Sequence, residues 1–250
     1  MEEIALPGGN VGGAVRVGDT VRRPTGPWTP AVHGLLQHLA DHGLSGVPRV
    51  HGFDAQGREI LDYLPGDAYT EPPADDVLAT ALSWLRQYHR VVASYRPAGV
   101  VQWRTSLAEL KPDEIVCMHD FGYYNWIGDK AGFVGVIDWD MAGPGKPLDD
   151  IAFAAWNSVP LATPASGEPV AASYRAARLR MMAEAYGDID PLEILKGATA
   201  RMARSVRVIR AGQVAGDPGM LNLGKVGEPE RTERQLADLD QRIPEIAAHL

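Results

Sequence analysis

Apolar and polar residues alternate over short segments in the first quarter of the chain, which is typical of small β-strands. The alternation predicts strands at 4–6, 14–17, 20–23, 47–50 and 59–63. One helix is expected after Pro30, because Val32, Leu35, Leu36 and Leu39 recur at helical spacing and Gly43 follows. Residues 1–64 are therefore predicted to form a β-rich lobe with one helix.

The hydrophobic period becomes helical after the breaker segment Leu64-Pro65-Gly66, which we interpret as a hinge. Helical patterns begin at Asp75 and Asp149, cover about 170–186 and 191–211, and resume after Pro229. Residues 212–229 are expected to form a loop. The order of elements predicts an α+β protein whose second lobe, residues 65–250, is mainly helical.

Composition describes an ordinary soluble globular protein, with 250 residues, 45% hydrophobic and 22% charged. The single cysteine, Cys117, excludes an internal disulfide and fits a reducing compartment. The chain starts Met1-Glu2-Glu3 without a basic, apolar leader, and no segment approaches the roughly 20 apolar residues of a membrane span. We therefore expect a cytoplasmic protein with no membrane partner, acting as a monomer or a homodimer.

The net charge of −8 argues against nucleic acid as a partner, because nucleic-acid phosphates attract basic surfaces. The same acidic balance weakly favours a cationic small-molecule partner.

An acid and an amide five residues apart, Asp120 and Asn125, carry the strongest chemical signal. This spacing is typical of kinase catalytic loops, in which the Asp accepts the proton of an acceptor hydroxyl and the Asn oxygen binds magnesium. A further acid, Asp138, follows an apolar segment, where it is a candidate metal ligand. Residues 126–137 predict a hairpin around a polar, glycine-containing turn, which would return Asp138 to the neighbourhood of Asp120. The alternative is a polar turn before a hairpin whose closing acids only cap a loop.

A glycine-rich turn lies between the first two predicted strands. Its backbone N–H groups could approach phosphates without obstruction by side chains. The residues expected to contact nucleotide here are Gly8, Gly9, Asn10 and Gly12. An ordinary flexible hairpin is the alternative.

The segment around Asp138, Gly135-Val136-Ile137-Asp138-Trp139-Asp140, is followed by Ala142-Gly143-Pro144-Gly145 and Asp150-Ile151-Ala152. Together with the Asp120–Asn125 loop, it resembles the aminoglycoside phosphotransferase and choline kinase-like family. The resemblance covers essentially the whole chain and implies the two-lobe protein-kinase-like fold of that family. Its smaller members include proteins linked to antibiotic resistance or peptide-toxin immunity.

The resemblance implies Asp120 as the general base, Asn125 and Asp138 as magnesium ligands, and Asp140 as a second ligand or orienting group. It implies that Asp150 steadies the catalytic loop, although capping is an equal alternative for Asp140 and Asp150. The implied cofactor is Mg²⁺, with ATP or GTP as co-substrate. The nucleobase of this co-substrate would lie at the end of the first lobe, beside Asp62, Tyr63 and Leu64.

Three positions depart from the pattern of the family. His119 directly precedes the base, whereas the family places this histidine two residues before it. The phosphate-binding lysine is replaced by arginine, for which alternation favours Arg23 and leaves Arg22 as the alternative. His33 stands near the place of the usual glutamate partner. Tyr123 and Tyr124 are interpreted as packing residues, with a border of the acceptor pocket as the alternative.

The expected function is transfer of the γ-phosphoryl group of a nucleoside triphosphate to the hydroxyl of a small molecule, such as an antibiotic or related metabolite. One alternative is a kinase-like binding or immunity protein with weak or no catalysis. Another is a glycosyltransferase that uses Asp138-Trp139-Asp140 as its metal motif.

Overall fold

The computed structural model describes residues 2–6, 13–164, 166–187 and 189–250. A five-stranded sheet comes first, with every neighbouring pair antiparallel. Its strands stand in the order β1-β2-β3-β5-β4. They are β1 Ile4–Ala5, β2 Val15–Val17, β3 Thr20–Arg23, β4 Val50–Phe53 and β5 Glu59–Asp62.

Helix α1, Thr29–Asp41, interrupts these strands and buries Val32, Leu35, Leu36 and Leu39, as their helical spacing predicted. The predicted strand at 47–50 is wrong in position, because β4 begins only at Val50. Pro48 has no N–H to donate to a sheet, so pairing starts after it.

Short strands dominate the middle of the chain, where β10 and β11 form the predicted hairpin and β10 also pairs with β6. The elements are β6 Asp67–Ala68, α2 Asp75–Val92, β7 Val101–Gln102, β8 Leu107–Ala108, β9 Ile115–Cys117, β10 Trp126–Asp129, β11 Gly132–Val136 and β12 Gly143–Gly145. A single 3₁₀ turn, Tyr123–Asn125, leads directly into β10.

The remainder is helical. Its helices are α3 Pro147–Ser158, α4 Ala172–Tyr186, α5 Pro191–Val214, α6 Pro218–Lys225 and α7 Glu230–Ala247. The loop predicted at 212–229 is wrong, because it contains α6 and the end of α5. The Asp217 side chain caps α6 by accepting from the Met220 N–H at 3.0 Å, and Pro218 occupies the first turn.

Contacts divide the chain into two compact units, Met1–Tyr69 with Gln87–Pro147, and Thr70–Arg86 with Leu148–Leu250. The first unit contains the five-stranded sheet and the hairpin, with Trp103, Trp126 and Trp139 fully buried. The lobe boundary predicted at residue 64 stays a prediction. Among the described residues, no helix combines the length and the apolar character needed to cross a membrane.

Candidate active site

The β10–β11 hairpin brings Asn125 and Asp138 together. Trp126 pairs with Val136 across the hairpin, and the Ile137 N–H donates to the Asn125 carbonyl at 2.9 Å. Asp138 is the next residue after this bond. The hairpin predicted from the sequence is confirmed, and its closing bond places the candidate metal ligands on adjoining stretches of chain.

Asp120 and Asn125 are joined within the turn that precedes the hairpin. The Asn125 Nδ2 donates to Asp120 Oδ2 at 2.8 Å and to the Asp120 carbonyl at 3.0 Å. Asn125 is buried, so this geometry fixes its amide firmly. Because the amide nitrogen serves Asp120, the Asn125 Oδ1 is the atom left to bind a cation.

Two residues beside these groups adopt a left-handed backbone. His119 has φ of 60° and Asp138 has φ of 58°, and they are the non-glycine residues with positive φ in the described part of the chain. Such a conformation costs about 1–3 kcal/mol and persists where the surroundings enforce it, often at functional sites. The buried His119 ring helps to do so, since its Nε2–H donates to the Pro144 carbonyl on β12 at 3.1 Å.

Arg23 joins the five-stranded sheet to the segment after the hairpin. Its Nε lies 2.8 Å from Glu59 Oε1, its Nη1 lies 3.3 Å from Asp138 Oδ1, and its Nη2 pairs with Asp140. Glu59 also binds His33, through an Nε2–Oε2 contact of 2.8 Å. The Arg23 guanidinium therefore contacts three carboxylates at once. His33 binds one of them, Glu59, and so supports the acidic partner of Arg23 rather than replacing it.

The charge of Arg23 is secured by these neighbours. Burial alone lowers the pKa of the guanidinium, but Asp138, Asp140 and Glu59 outweigh burial and raise the pKa above its ordinary value. Arg23 is consequently a permanent cation beside the candidate metal ligands.

Asp140 is enclosed by hydrogen-bond donors. Its Oδ1 accepts from Arg23, its Oδ2 lies 3.6 Å from Arg104 Nη1, and the Trp28 side chain donates to it as well. Burial raises the pKa of Asp140, and Arg23 opposes that rise. Both oxygens are engaged by the protein, which suits an orienting group; the role of Asp140 as a metal ligand stays a prediction.

The donor set at Asn125 and Asp138 fits a magnesium ion. Mg²⁺ prefers oxygen ligands and is usually held by one or two protein carboxylates together with substrate phosphates. The Asp138 side chain is 42% exposed and uses only Oδ1 in its contact with Arg23. The described residues contain no cluster of three or more His, Cys, Asp and Glu that could hold a metal ion.

Of the residues predicted to contact nucleotide, Gly8, Gly9, Asn10 and Gly12 lie outside the described residues. Asp62, Tyr63 and Leu64, which are predicted like Arg23 to contact nucleotide, are half-buried where β5 ends.

Their side chains are engaged locally. His51 Nε2 lies 2.6 Å from Asp62 Oδ1, and the Arg16 guanidinium lies 3.8 Å above the Tyr63 ring. The Tyr63 N–H donates to the Asp19 carbonyl at 2.9 Å. Within the described part of the chain the Leu64 N–H has no backbone acceptor, and its contact with the nucleobase stays a prediction.

Sequence reasoning missed Glu59 and Arg104, and it favoured a packing role for Tyr124 over a place beside the acceptor. Glu59 had a signal, since a carboxylate at an inward position of a strand needs a buried cation opposite it. Tyr124 donates its hydroxyl proton to Asp120 Oδ1 at 2.8 Å, a contact that no spacing rule indicates.

A β-sheet with one helix, an Asp-x4-Asn turn and a hairpin with a following Asp are features of the protein-kinase-like fold. Residues 96–191 match the model of the phosphotransferase enzyme family known as APH. The chain is 32% identical over 194 residues to the trifolitoxin immunity protein of Rhizobium leguminosarum bv. trifolii, a match that spans 74% of each chain. The chain belongs to this phosphotransferase enzyme family.

Solved structures show the same fold. The amicoumacin kinase hAmiN, in complex with AMP-PNP, Ca²⁺ and Ami, is 12% identical, with 96% of this chain and 87% of that chain covered and a TM-score of 0.61. The gentamicin-APH(2")-IIa complex is 13% identical, with 94% and 91% covered and a TM-score of 0.59. A choline/ethanolamine kinase family protein from Mesorhizobium loti is 15% identical, with 96% and 92% covered and a TM-score of 0.56. These matches confirm the predicted α+β, protein-kinase-like fold.

Proposed function

We propose that the chain transfers the γ-phosphoryl group of ATP or GTP to the hydroxyl of a small molecule. The observation that carries the proposal is the Asp120 carboxylate, whose Oδ2 is fixed by Asn125 at 2.8 Å immediately before the hairpin that delivers Asp138. A base, an amide oxygen and a second carboxylate are the parts that phosphoryl transfer needs.

Asp120 acts as the general base. The acceptor oxygen forms a bond to the γ-phosphorus while the bond from this phosphorus to the β–γ bridging oxygen breaks, and the nucleoside diphosphate leaves with the electron pair. The acceptor proton passes to Asp120 Oδ1. Asn125 keeps the carboxylate in one orientation throughout, because its amide is buried and donates to two oxygens of the same residue.

Charge on the phosphates is met by Arg23 and by the metal site. Bound Mg²⁺, held by Asn125 Oδ1 and Asp138, would neutralise charge that develops on the transferred group. Arg23 offers a planar cation to the phosphates, with Gly8, Gly9, Asn10 and Gly12 as the backbone cover above them. Leu64 would offer its N–H to the base of the nucleotide.

The acceptor is proposed to be a hydroxylated antibiotic or a related metabolite. The similarity to structures named for an amicoumacin kinase and for a gentamicin complex supports this class, and the net charge of −8 favours a cationic member of it. A panel of hydroxylated antibiotics and metabolites, screened for magnesium-dependent nucleotide consumption, would identify the acceptor.

Replacement of the base tests the function. We expect Asp120→Ala to lower phosphoryl transfer by about 10²–10⁴, the usual contribution of a general base, while binding of the magnesium nucleotide survives. Turnover is measured as acceptor-dependent nucleotide consumption, and binding by titration calorimetry. Asp129→Ala, an exposed acid on the same hairpin, is the control with unchanged turnover. Equal loss of binding and turnover would show that Asp120 is structural.

A second candidate is a kinase-like binding or immunity protein with little catalysis. The relative named as an immunity protein favours it, as does the occupation of Arg23 by three carboxylates. Thermal stabilisation by nucleotide, measured with and without magnesium, separates the candidates when it is combined with the acceptor panel. Stabilisation without consumption for every acceptor would favour the binding protein.

A further inference from the structure

The candidate base is already occupied on both oxygens by its own loop. Asp120 Oδ2 accepts from the buried Asn125 amide, and Oδ1 accepts from the Tyr124 hydroxyl at 2.8 Å. The Tyr124 side chain is partly exposed, at 41%, whereas Asn125 is 6% exposed. Oδ1 is thus the oxygen on the open side of the carboxylate, and a phenol holds it.

Gly122 provides the space for this contact. A Cβ added at Gly122 would lie 2.6 Å from Tyr124 Cε1 and 3.0 Å from its hydroxyl oxygen. The backbone there, with φ −93° and ψ 151°, is open to any residue. Glycine is therefore required at this position to let the tyrosine ring fold back over the loop, and not for its own dihedral angles.

We propose that the Tyr124 hydroxyl stands in for the acceptor hydroxyl and keeps water from using the base until an acceptor displaces it. This inference rests on the proposed phosphoryl transfer. A phenol that donates to a carboxylate oxygen satisfies the lone pair that an attacking hydroxyl would use. While Tyr124 is in place, its hydroxyl therefore occupies the position that a water would take against Asp120 Oδ1.

The reaction that Tyr124 suppresses is hydrolysis of the nucleotide. In it, a water oxygen bonds to the γ-phosphorus, the bond to the β–γ bridging oxygen breaks, and the diphosphate leaves with the electron pair. The water proton goes to Asp120 Oδ1. Tyr124 is therefore a positioning residue, which acts through its hydrogen bond to Asp120 and takes no part in the bonds that form and break at phosphorus.

Hydrolysis of magnesium ATP and GTP without any acceptor tests the proposal in the full chain. Tyr124→Phe removes the hydroxyl and keeps the ring, and we expect hydrolysis to rise about ten-fold, the scale of one hydrogen bond to a charged group. Gly122→Ala displaces the ring by a separate route and should raise hydrolysis in the same direction. Adding Asp120→Asn to Tyr124→Phe should abolish the gain.

Tyr123→Phe is the matched control. Tyr123 neighbours Tyr124 in an edge-on contact with ring centroids 5.8 Å apart, and its hydroxyl makes no hydrogen bond to a described residue. Hydrolysis by this variant should equal that of the original chain.

A readout independent of catalysis is the free energy of unfolding. Tyr124→Phe and Asp120→Ala should destabilise the chain non-additively, because each removes the same hydrogen bond. Additive effects would overturn the contact on which the proposal depends.

The possible failures are distinguishable. Nucleotide binding by the original chain, with hydrolysis unchanged or lowered in both Tyr124→Phe and Gly122→Ala, would overturn the role of Tyr124 alone. Absence of nucleotide binding by the original chain would overturn the phosphotransferase function, and the role of Tyr124 with it.

Discussion

Arg23 and Glu59 lie directly opposite each other on β3 and β5, with 2.8 Å between the guanidinium Nε and the carboxylate Oε1. Glu59 is 2% exposed, so this is a buried ion pair within one sheet. In protein kinases the acid partner of the phosphate-binding lysine comes from a helix. Here a neighbouring strand supplies it, and helix α1 contributes only His33, which binds the other oxygen of Glu59.

Removing the charge of Glu59 should therefore disturb both stability and nucleotide binding. Glu59→Gln keeps the side-chain shape but leaves the Arg23 Nε without an ionised partner, at an expected cost of about 1–3 kcal/mol in the free energy of unfolding. Urea denaturation measures this loss, and calorimetry should show weaker binding of magnesium ATP. The control is Glu3→Gln, which breaks an exposed pair with Arg58 and should leave the free energy of unfolding almost unchanged. An equal effect from both variants would contradict the importance of burial.

Arg23→Lys should weaken nucleotide binding roughly ten-fold, because an ammonium is a point charge that cannot reproduce a planar fork spanning three carboxylates. Titration with magnesium ATP is the measurement. Arg22→Lys is the matched control, since Arg22 is directed to the Thr20 hydroxyl at 2.6 Å. Weaker binding in Arg22→Lys alone would instead assign the phosphate role to Arg22.

Asp138→Asn should raise the magnesium concentration needed for half-maximal nucleotide binding. The substitution removes the charged oxygen that is available to a metal, whereas Asp140→Asn changes a group already enclosed by Arg23 and Arg104. We expect Asp140→Asn to alter stability more than magnesium dependence. Magnesium titrations of nucleotide-induced thermal stabilisation compare the two variants, and a larger magnesium effect in Asp140→Asn would make Asp140 the ligand.

Local sequence patterns were sufficient to predict the turn that contains Asp120 and Asn125 and the β10–β11 hairpin that follows it. Asp120, Asn125 and Asp138 lie within one short stretch of chain, and the strands between them are adjacent. Helix α1 was equally accessible, because its apolar stripe faces a single side.

The contacts between residues far apart in the sequence could not be predicted. Arg23 and Glu59 are separated by a helix and a strand, so their pairing depends on a sheet order that alternation cannot specify. Helix α6 was missed for a different reason, since it is an eight-residue helix in a glycine-rich segment. The Asp217-Pro218 start signal was nevertheless present in the sequence.

Gly135 on β11 packs against the loop before β4, and its substitution should destabilise the hairpin. An added Cβ would lie 2.3 Å from the Gly46 carbonyl oxygen, which also accepts from the Val136 N–H at 2.8 Å. Both partners are backbone, so Gly135→Ala should lower the free energy of unfolding by about 1–3 kcal/mol. Thermal and urea denaturation measure the loss, with Lys130→Ala in the exposed hairpin turn as control. An unchanged free energy of unfolding in Gly135→Ala would show that the loop around Gly46 moves to accommodate the added Cβ without a measurable cost.

Asp238 on α7 should make the second compact unit sensitive to acid. Hydrogen bonds from Arg242 above all, against the opposing effect of burial and with help from the Thr163 N–H, lower the pKa of Asp238 to about 2. A carboxyl whose folded pKa lies below its unfolded pKa stabilises the fold above the unfolded value of 3.8, and this stabilisation is lost as the pH falls toward 2. Because the side chain is 30% exposed, we expect a contribution of about 1 kcal/mol after solvent screening.

The measurement is the free energy of unfolding between pH 6 and pH 2 for the original chain and for Asp238→Asn. The variant should be less stable at pH 6, and the difference should shrink as the pH falls through the interval from about 4 to 2, because protonation removes the same charge from the original chain. Asp240→Asn, an exposed acid on the same helix, should leave the pH profile unchanged. A difference between Asp238→Asn and the original chain that is constant with pH would show that the Thr163 and Arg242 contacts act by shape rather than by charge.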